Sequence, residues 1–166
     1  MVSLRLPAPI RVSLALGAVL AVAACASTGT QEGAIAPSMG GPEMPPAIKP
    51  QEITGRWGLA AFHNPNDLKR TEAAARNGCK QAYNIAMGPT GGVIMHMPDK
   101  AQPEELRMKG GPGNKTFIGP AGEPAGGVQD REITSFDGRT MTVRFLDPEV
   151  SSRYGTQIYV RCAPRA

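Results

Sequence analysis

The sequence predicts a mainly β protein, a small antiparallel β-barrel or sandwich with one short helix. Three observations lead to this prediction: short segments alternate apolar and polar residues, turns rich in glycine and proline separate them, and one stretch alone has helical composition. We expect a signal peptide at 1–24, a disordered tether at 25–52 and a single β-rich domain at 53–166. A domain of that length holds one hydrophobic core.

The domain is expected to open with a strand over 55–62, where the large apolar residues fall on alternating positions. A helix over 65–76 follows, with Asn64 as its N-terminal cap and a proline at its first position. Asn77-Gly78 ends that helix.

The remaining chain is predicted to consist of strands and turns. The strands are expected at 82–87, 93–97, 105–108, 116–118, 132–136, 140–145 and 156–162. A glycine-rich turn is predicted at 109–115, and Asp137-Gly138 favours a tight hairpin between the two strands that flank it. Alternation in the last strand places Ile158, Val160 and Cys162 on one face.

The first 24 residues have the composition of a secretory signal. Arg5 and Arg11 precede an apolar stretch at 12–24 that ends in small residues. As a helix this stretch would be about 20 Å long, too short for a hydrocarbon core of about 30 Å.

The segment Val22-Ala23-Ala24-Cys25 resembles the lipobox of bacterial lipoproteins. This resemblance implies cleavage before Cys25, a diacylglyceryl thioether on its sulfur and acylation of the new N-terminus. Two or more acyl chains anchor a protein stably to a membrane. By the sorting pattern of that family, Ala26 favours the outer membrane, with the domain facing either the periplasm or the cell surface.

The charge of the mature chain does not favour a nucleic-acid partner. Arg5 and Arg11 leave with the signal, so 16 of the 18 basic residues remain against 14 acidic residues, a net charge of +2. The basic residues are scattered and little interleaved with aromatic ones, which argues against nucleic-acid binding.

Cys79 and Cys162 are the only cysteines besides Cys25. In an oxidising periplasm we expect them to form a structural disulfide. A redox or metal-binding pair is the alternative, but the two cysteines lack CxxC spacing and a nearby histidine.

No sequence motif indicates catalysis or a cofactor. There is no nucleophile elbow, zinc motif, phosphate loop or dinucleotide fingerprint. We therefore expect no enzyme activity and no cofactor.

Met95-His96-Met97 raises a copper hypothesis, since thioether and imidazole groups are ligands for Cu(I). On a strand, however, Met95 and Met97 share one face while His96 points to the other. Core methionines are the preferred interpretation, and Cu(I) binding is a lesser alternative.

Gly55-Arg56-Trp57 resembles the Gly-x-Trp opening of lipocalin-like barrels. In that family the tryptophan closes one end of the barrel beneath a ligand cavity, so the resemblance implies a cavity near Trp57. A lone tryptophan in an ordinary β core is the alternative.

The combination of lipobox, proline-rich tether, Gly-x-Trp strand and a following cysteine also resembles the small β-barrel inhibitors of metalloproteases. The helix at 65–76 and the distant partner cysteine depart from their pattern.

Our prediction is a non-enzymatic outer-membrane lipoprotein with a structural or binding role in the envelope. Its partners are the membrane and an envelope protein, and the alternatives are inhibition of a protease or binding of a small apolar ligand.

Overall fold

The computed structural model describes residues 43–163, which form a closed barrel of eight antiparallel strands. Each strand pairs with the next one in the chain, and the last pairs with the first. The strands are β1 Gly55–Phe62, β2 Tyr83–Met87, β3 Val93–His96, β4 Pro103–Gly111, β5 Lys115–Gly119, β6 Arg131–Phe136, β7 Thr140–Phe145 and β8 Thr156–Arg161. The mainly β prediction is confirmed, and the barrel is the architecture observed.

The described chain also contains α1 Pro50–Ile53, α2 Leu68–Gly78 and α3 Pro148–Tyr154. We call the barrel end that carries the loops after β1, β3, β5 and β7 the mouth. The opposite end, with the loops after β2, β4 and β6, is the base. Among residues 43–163, no helix combines the length and apolar character needed to cross a membrane.

The barrel interior is filled by large side chains. Because alternate residues of a strand face inward, each strand contributes one or two buried members, and Ile53 of α1 adds another. The buried members of this core are Ile53, Trp57, Ile85, Val93, Met95, Leu106, Met108, Ile118, Ile133, Met141, Val143 and Tyr159.

Helix α2 packs on the outside of β1 and β8, where Ala75, Ile158 and Val160 form a second buried cluster. The predicted cap is present, since the side chain of Asn64 accepts a hydrogen bond from the backbone N–H of Asn66 at 3.0 Å, but it begins a 3-10 turn at Pro65–Asp67, and α2 itself starts at Leu68. Asn77 and Gly78, which were predicted to end the helix, are its last two residues, and a 3-10 turn at Cys79–Gln81 follows. The shared face of Ile158 and Val160 therefore contacts α2.

The predicted disulfide is confirmed: Cys79 and Cys162 are bonded, with their Cα atoms 5.6 Å apart. It joins the short 3-10 turn after α2 to the residue that follows β8. Both cysteines are partly exposed.

The structure adds two short helices to the single one predicted. Helix α3 begins where Asp147 accepts hydrogen bonds from the backbone N–H groups of Glu149 and Val150, and it ends before Gly155, which has a φ of 68°. In addition, residues 109–111 belong to β4 and not to a turn, because they pair with β5.

Part of the segment assigned to the tether contacts the barrel. Met44 forms a β-bridge with Gly110, and the N–H of Ile48 donates to Oγ1 of Thr116 at 3.3 Å. The predicted signal peptide, Cys25 and the rest of the tether up to residue 42 lie outside the described residues.

Candidate ligand-binding site at the barrel mouth

A pocket of about 350 Å³ opens at the mouth of the barrel. Its floor and walls come from six strands, β1, β2, β3, β6, β7 and β8. Its rim is formed by the β3–β4 loop and α3. Its lining consists of Leu59, Tyr83, His96, Met97, Pro98, Asp99, Lys100, Arg131, Phe145, Tyr154, Gln157 and Tyr159. The pocket is accessible from solvent, whereas the barrel interior below it is filled with side chains.

Arg131 is the buried cation of this pocket. It is the first residue of β6 and shares the inward face with Ile133, so its side chain is only 3% exposed. One Nη2 hydrogen bond reaches the carbonyl oxygen of His96 at 2.7 Å, and the guanidinium carbon lies 5.7 Å from the centre of the Phe145 ring.

No carboxylate of residues 43–163 forms an ion pair with Arg131. The contrast with Lys109, which is equally buried, is direct, since Nζ of Lys109 lies 2.7 Å from Oδ1 of Asp130. Removing a charge from water costs several kcal/mol unless a partner compensates it. Arg131 therefore carries a positive charge that the described protein leaves without a counter-charge.

Two tyrosines line the pocket together with Arg131. The rings of Tyr83 and Tyr159 lie 6.0 Å apart, and the Tyr83 hydroxyl accepts a hydrogen bond from the backbone N–H of His96 at 2.8 Å. The Tyr159 hydroxyl donates to Oε1 of Gln157 at 2.7 Å. Burial raises the pKa of Tyr159 to about 12, although the charge of Arg131 acts in the opposite direction. This hydroxyl is consequently neutral at physiological pH.

A polar contact, which we call the Asp99 latch, crosses the rim of the pocket. Both carboxylate oxygens of Asp99 lie 2.9 Å from Nη1 of Arg153, and the hydroxyl of Tyr154 donates to Oδ1 at 2.5 Å. The hydrogen bond to Asp99 raises the pKa of Tyr154. The latch ties the β3–β4 loop to α3 and neutralises the charge of Asp99.

The resulting electrostatics favour an anion. With Asp99 paired to Arg153, the remaining formal charges of the lining are those of Arg131 on the floor and Lys100 at the rim. Guanidinium groups present several N–H donors in a plane, which suits a carboxylate or phosphate. This arrangement can bind a small anion and orient it.

Trp57, the predicted cavity residue, lies beneath this pocket and outside its lining. It is fully buried, its indole N–H donates to the carbonyl of Ile53 at 2.8 Å, and its ring meets Tyr159 edge-on at 6.4 Å. Arg161 covers the other side, with its guanidinium carbon 4.2 Å from the ring centre. Trp57 thus closes the base, and Tyr159 separates it from the pocket.

The methionines of the copper hypothesis occupy different environments. Met95 is fully buried in the core, while Met97 packs at the edge of the core and lines the pocket. His96 is exposed, as expected for the opposite face. Among residues 43–163, no group of three or more His, Cys, Asp or Glu side chains is placed to hold a metal ion.

Sequence reasoning missed Arg131 and Tyr159. A sequence signal for Arg131 was present, because Arg131 lies two residues before Ile133 on the hairpin strand and therefore on the inward face.

Cys25 lies outside the described residues, so its lipidation stays a prediction. No protein-family model, curated protein or solved structure matches this chain.

Proposed function

We propose that this protein is a non-enzymatic outer-membrane lipoprotein that binds a small anionic ligand in the mouth of its barrel. The observation that carries the binding role is Arg131, a residue only 3% exposed that has no acidic partner among the described residues and lies at the floor of an accessible pocket. A bound anion would supply the counter-charge that Arg131 lacks.

We infer that Arg131 and Tyr159 bind the ligand and do not act as a general acid or base. Arginine stays protonated throughout the physiological range, and Tyr159 has a pKa of about 12, so neither group exchanges protons near neutral pH. General acid–base catalysis needs a group whose pKa lies near the working pH.

The anchoring role rests on Val22-Ala23-Ala24-Cys25. A lipidated Cys25 followed by the tether would hold the domain near the membrane while the barrel mouth meets ligands in the surrounding compartment. Mass spectrometry of the native N-terminus tests this directly. A precursor that is still intact, or a mature N-terminus without acyl mass, would remove the anchor from the proposal.

Binding is tested by titrating the purified protein with acetate, benzoate and inorganic phosphate, followed by chemical-shift changes. We expect saturable binding of at least one of these anions, loss of that binding in Arg131→Met, and wild-type binding in Lys80→Met. Lys80 is a matched control because it is exposed and does not line the pocket. If Arg131→Met binds the anions as wild type does, the mouth is not the site.

A further inference from the structure

We propose that the ligand is an amphipathic monocarboxylate, with its carboxylate on Arg131 and its apolar tail in a cleft beside the mouth pocket. This inference rests on the proposed anion binding and names the class of anion. It depends on three features: the second cleft, the residues shared between the two cavities, and the distribution of charge around them.

The second cleft has a volume of about 230 Å³. Its apolar lining comes from Met97, Val128, Phe145 and Val150, which lie on the β3–β4 loop, the β5–β6 loop, β7 and α3. Val128 is 59% exposed, the highest exposure among the large hydrophobic side chains of the described chain. Covering such a side chain with an apolar group removes hydrocarbon surface from water, which favours binding.

The cleft and the mouth pocket adjoin each other. Residues 97–100 and Phe145 line both of them, so they form a common wall. The Phe145 ring lies 5.7 Å from the Arg131 guanidinium carbon and 6.0 Å from the Tyr154 ring. A ligand held at Arg131 would cross this common wall beside Phe145 to bring an apolar tail against Val128 and Val150.

The charges around the two cavities favour a ligand that carries a single negative charge. Arg131 is the only buried cation of the lining, and one of its donors is already used by the His96 carbonyl. Asp99, Asp130 and Asp147 line the second cleft. Asp99 and Asp130 are already paired with Arg153 and Lys109, but Asp147 has no cationic partner among residues 43–163. Its charge would repel an anion that carries a second negative charge into the cleft, whereas a monocarboxylate places its one charge on Arg131 and extends a neutral chain past Asp147.

The experiment is a titration of the purified protein with acetate, butyrate, hexanoate and octanoate below their aggregation concentrations. Each added methylene should tighten binding about fourfold until the cleft is filled, because each buried methylene contributes about 0.8 kcal/mol. Arg131→Met should weaken every member of the series. Val128→Ser should reduce the chain-length dependence and leave acetate binding unchanged, since Val128 is an exposed loop residue that does not line the mouth pocket.

The outcomes separate this inference from the proposed function. Acetate binding that is lost in Arg131→Met, together with equal affinities along the series, would leave anion binding intact and overturn the tail assignment. Octanol binding as tightly as octanoate would overturn the head-group assignment, and phosphate binding more tightly than any alkanoate would overturn the single charge. Absence of binding for every anion would remove both proposals.

A peptide C-terminus with an apolar last residue offers the same head and tail, and the test includes it. We expect acetyl-glycyl-leucine to bind no more tightly than hexanoate. A peptide acid that binds at least tenfold more tightly than hexanoate, with the loss of that binding on amidation, would assign the site to protein C-termini and overturn the small-ligand inference.

Discussion

Asp130 and Arg131 are adjacent in sequence, yet their charged groups do not pair. The Asp130 carboxylate is held by Nζ of Lys109 at 2.7 Å and by the N–H of Gly126 at 2.9 Å. The side chain of Arg131 turns instead into the mouth pocket, toward His96 and Phe145. Asp130 directly precedes β6, and adjacent residues of an extended chain point to opposite sides, so Asp130 pairs with Lys109 while Arg131 has no carboxylate partner among the described residues.

Replacing Arg131 should abolish anion binding without lowering the free energy of unfolding. We expect Arg131→Met to have a free energy of unfolding equal to that of wild type or up to about 2 kcal/mol higher. The variant loses one charged hydrogen bond but no longer buries an uncompensated charge. Urea denaturation followed by the fluorescence of Trp57 measures the difference. A loss of more than about 1 kcal/mol would identify Arg131 as a structural residue.

Arg161 is the matched comparison for that measurement. Its guanidinium donates to the carbonyls of Glu52, Thr54 and Gly138 and covers Trp57. We expect Arg161→Met to lower the free energy of unfolding by about 3 kcal/mol, because several charge-assisted hydrogen bonds and a cation–π contact disappear together. Equal effects of the two substitutions would contradict the distinction between them.

The sequence predicts features whose signals are local and misses those that depend on distant residues. The hairpin of β6 and β7 was predictable because its signal is local, an Asp137-Gly138 turn between alternating segments. Helix α3 carries a local signal too, the Asp147 cap with Pro148 after it, but seven residues are too few to develop an apolar periodicity. The setting of Arg131 depends on distant partners: His96 lies 35 residues away, and only closure of the barrel brings them together.

The Asp99 latch should control a tyrosine pKa. The Tyr154 hydroxyl donates to Asp99, and this bond holds the phenol in its neutral form and raises its pKa. In Asp99→Asn we expect the pKa of Tyr154 to fall toward its ordinary value of 10.0. A pH titration of ring-carbon NMR signals measures it, with Tyr159 as the internal reference that should not move.

The same variant should change stability little. Asp99 and Arg153 are about half exposed, and exposed ion pairs contribute between about 0 and 1 kcal/mol. We therefore expect Asp99→Asn to unfold within about 1 kcal/mol of wild type. A larger loss would mean that the latch supports the fold as well as the rim.

Glu132 should contribute to loss of stability in acid. Burial acts to raise the pKa of Glu132, but hydrogen bonds from Arg144 and Lys115 outweigh it, so the pKa lies below the ordinary 4.5. A carboxyl with a lowered folded-state pKa stabilises the protein above its unfolded-state pKa, and this contribution is lost as pH falls through the folded-state value. We expect unfolding free energies measured from pH 7 to pH 3 to decrease less steeply in Glu132→Gln than in wild type. Identical slopes would contradict this assignment.

The disulfide should contribute measurably to the free energy of unfolding. It closes a loop of 83 residues between the turn after α2 and the end of β8, and a cross-link of this kind typically contributes about 2–4 kcal/mol. The Cys79→Ala/Cys162→Ala double variant should lose that amount in urea denaturation. Reduction of wild type should reproduce the loss, and addition of reductant to the double variant should have no effect.

Gly58 should be intolerant of even one methyl group. A Cβ at this position would lie 1.8 Å from the carbonyl oxygen of Ala75, so α2 must shift away from β1 to accept it. We expect Gly58→Ala to lower the free energy of unfolding by about 2–3 kcal/mol, the upper range for overpacking. Because the obstructing atom belongs to the backbone of α2, Ala75→Gly should not rescue the variant. The double variant should lose a further ~1 kcal/mol, the helical cost of glycine relative to alanine. Recovery of wild-type stability in the double variant would mean that the helix meets the strand through the Ala75 side chain instead.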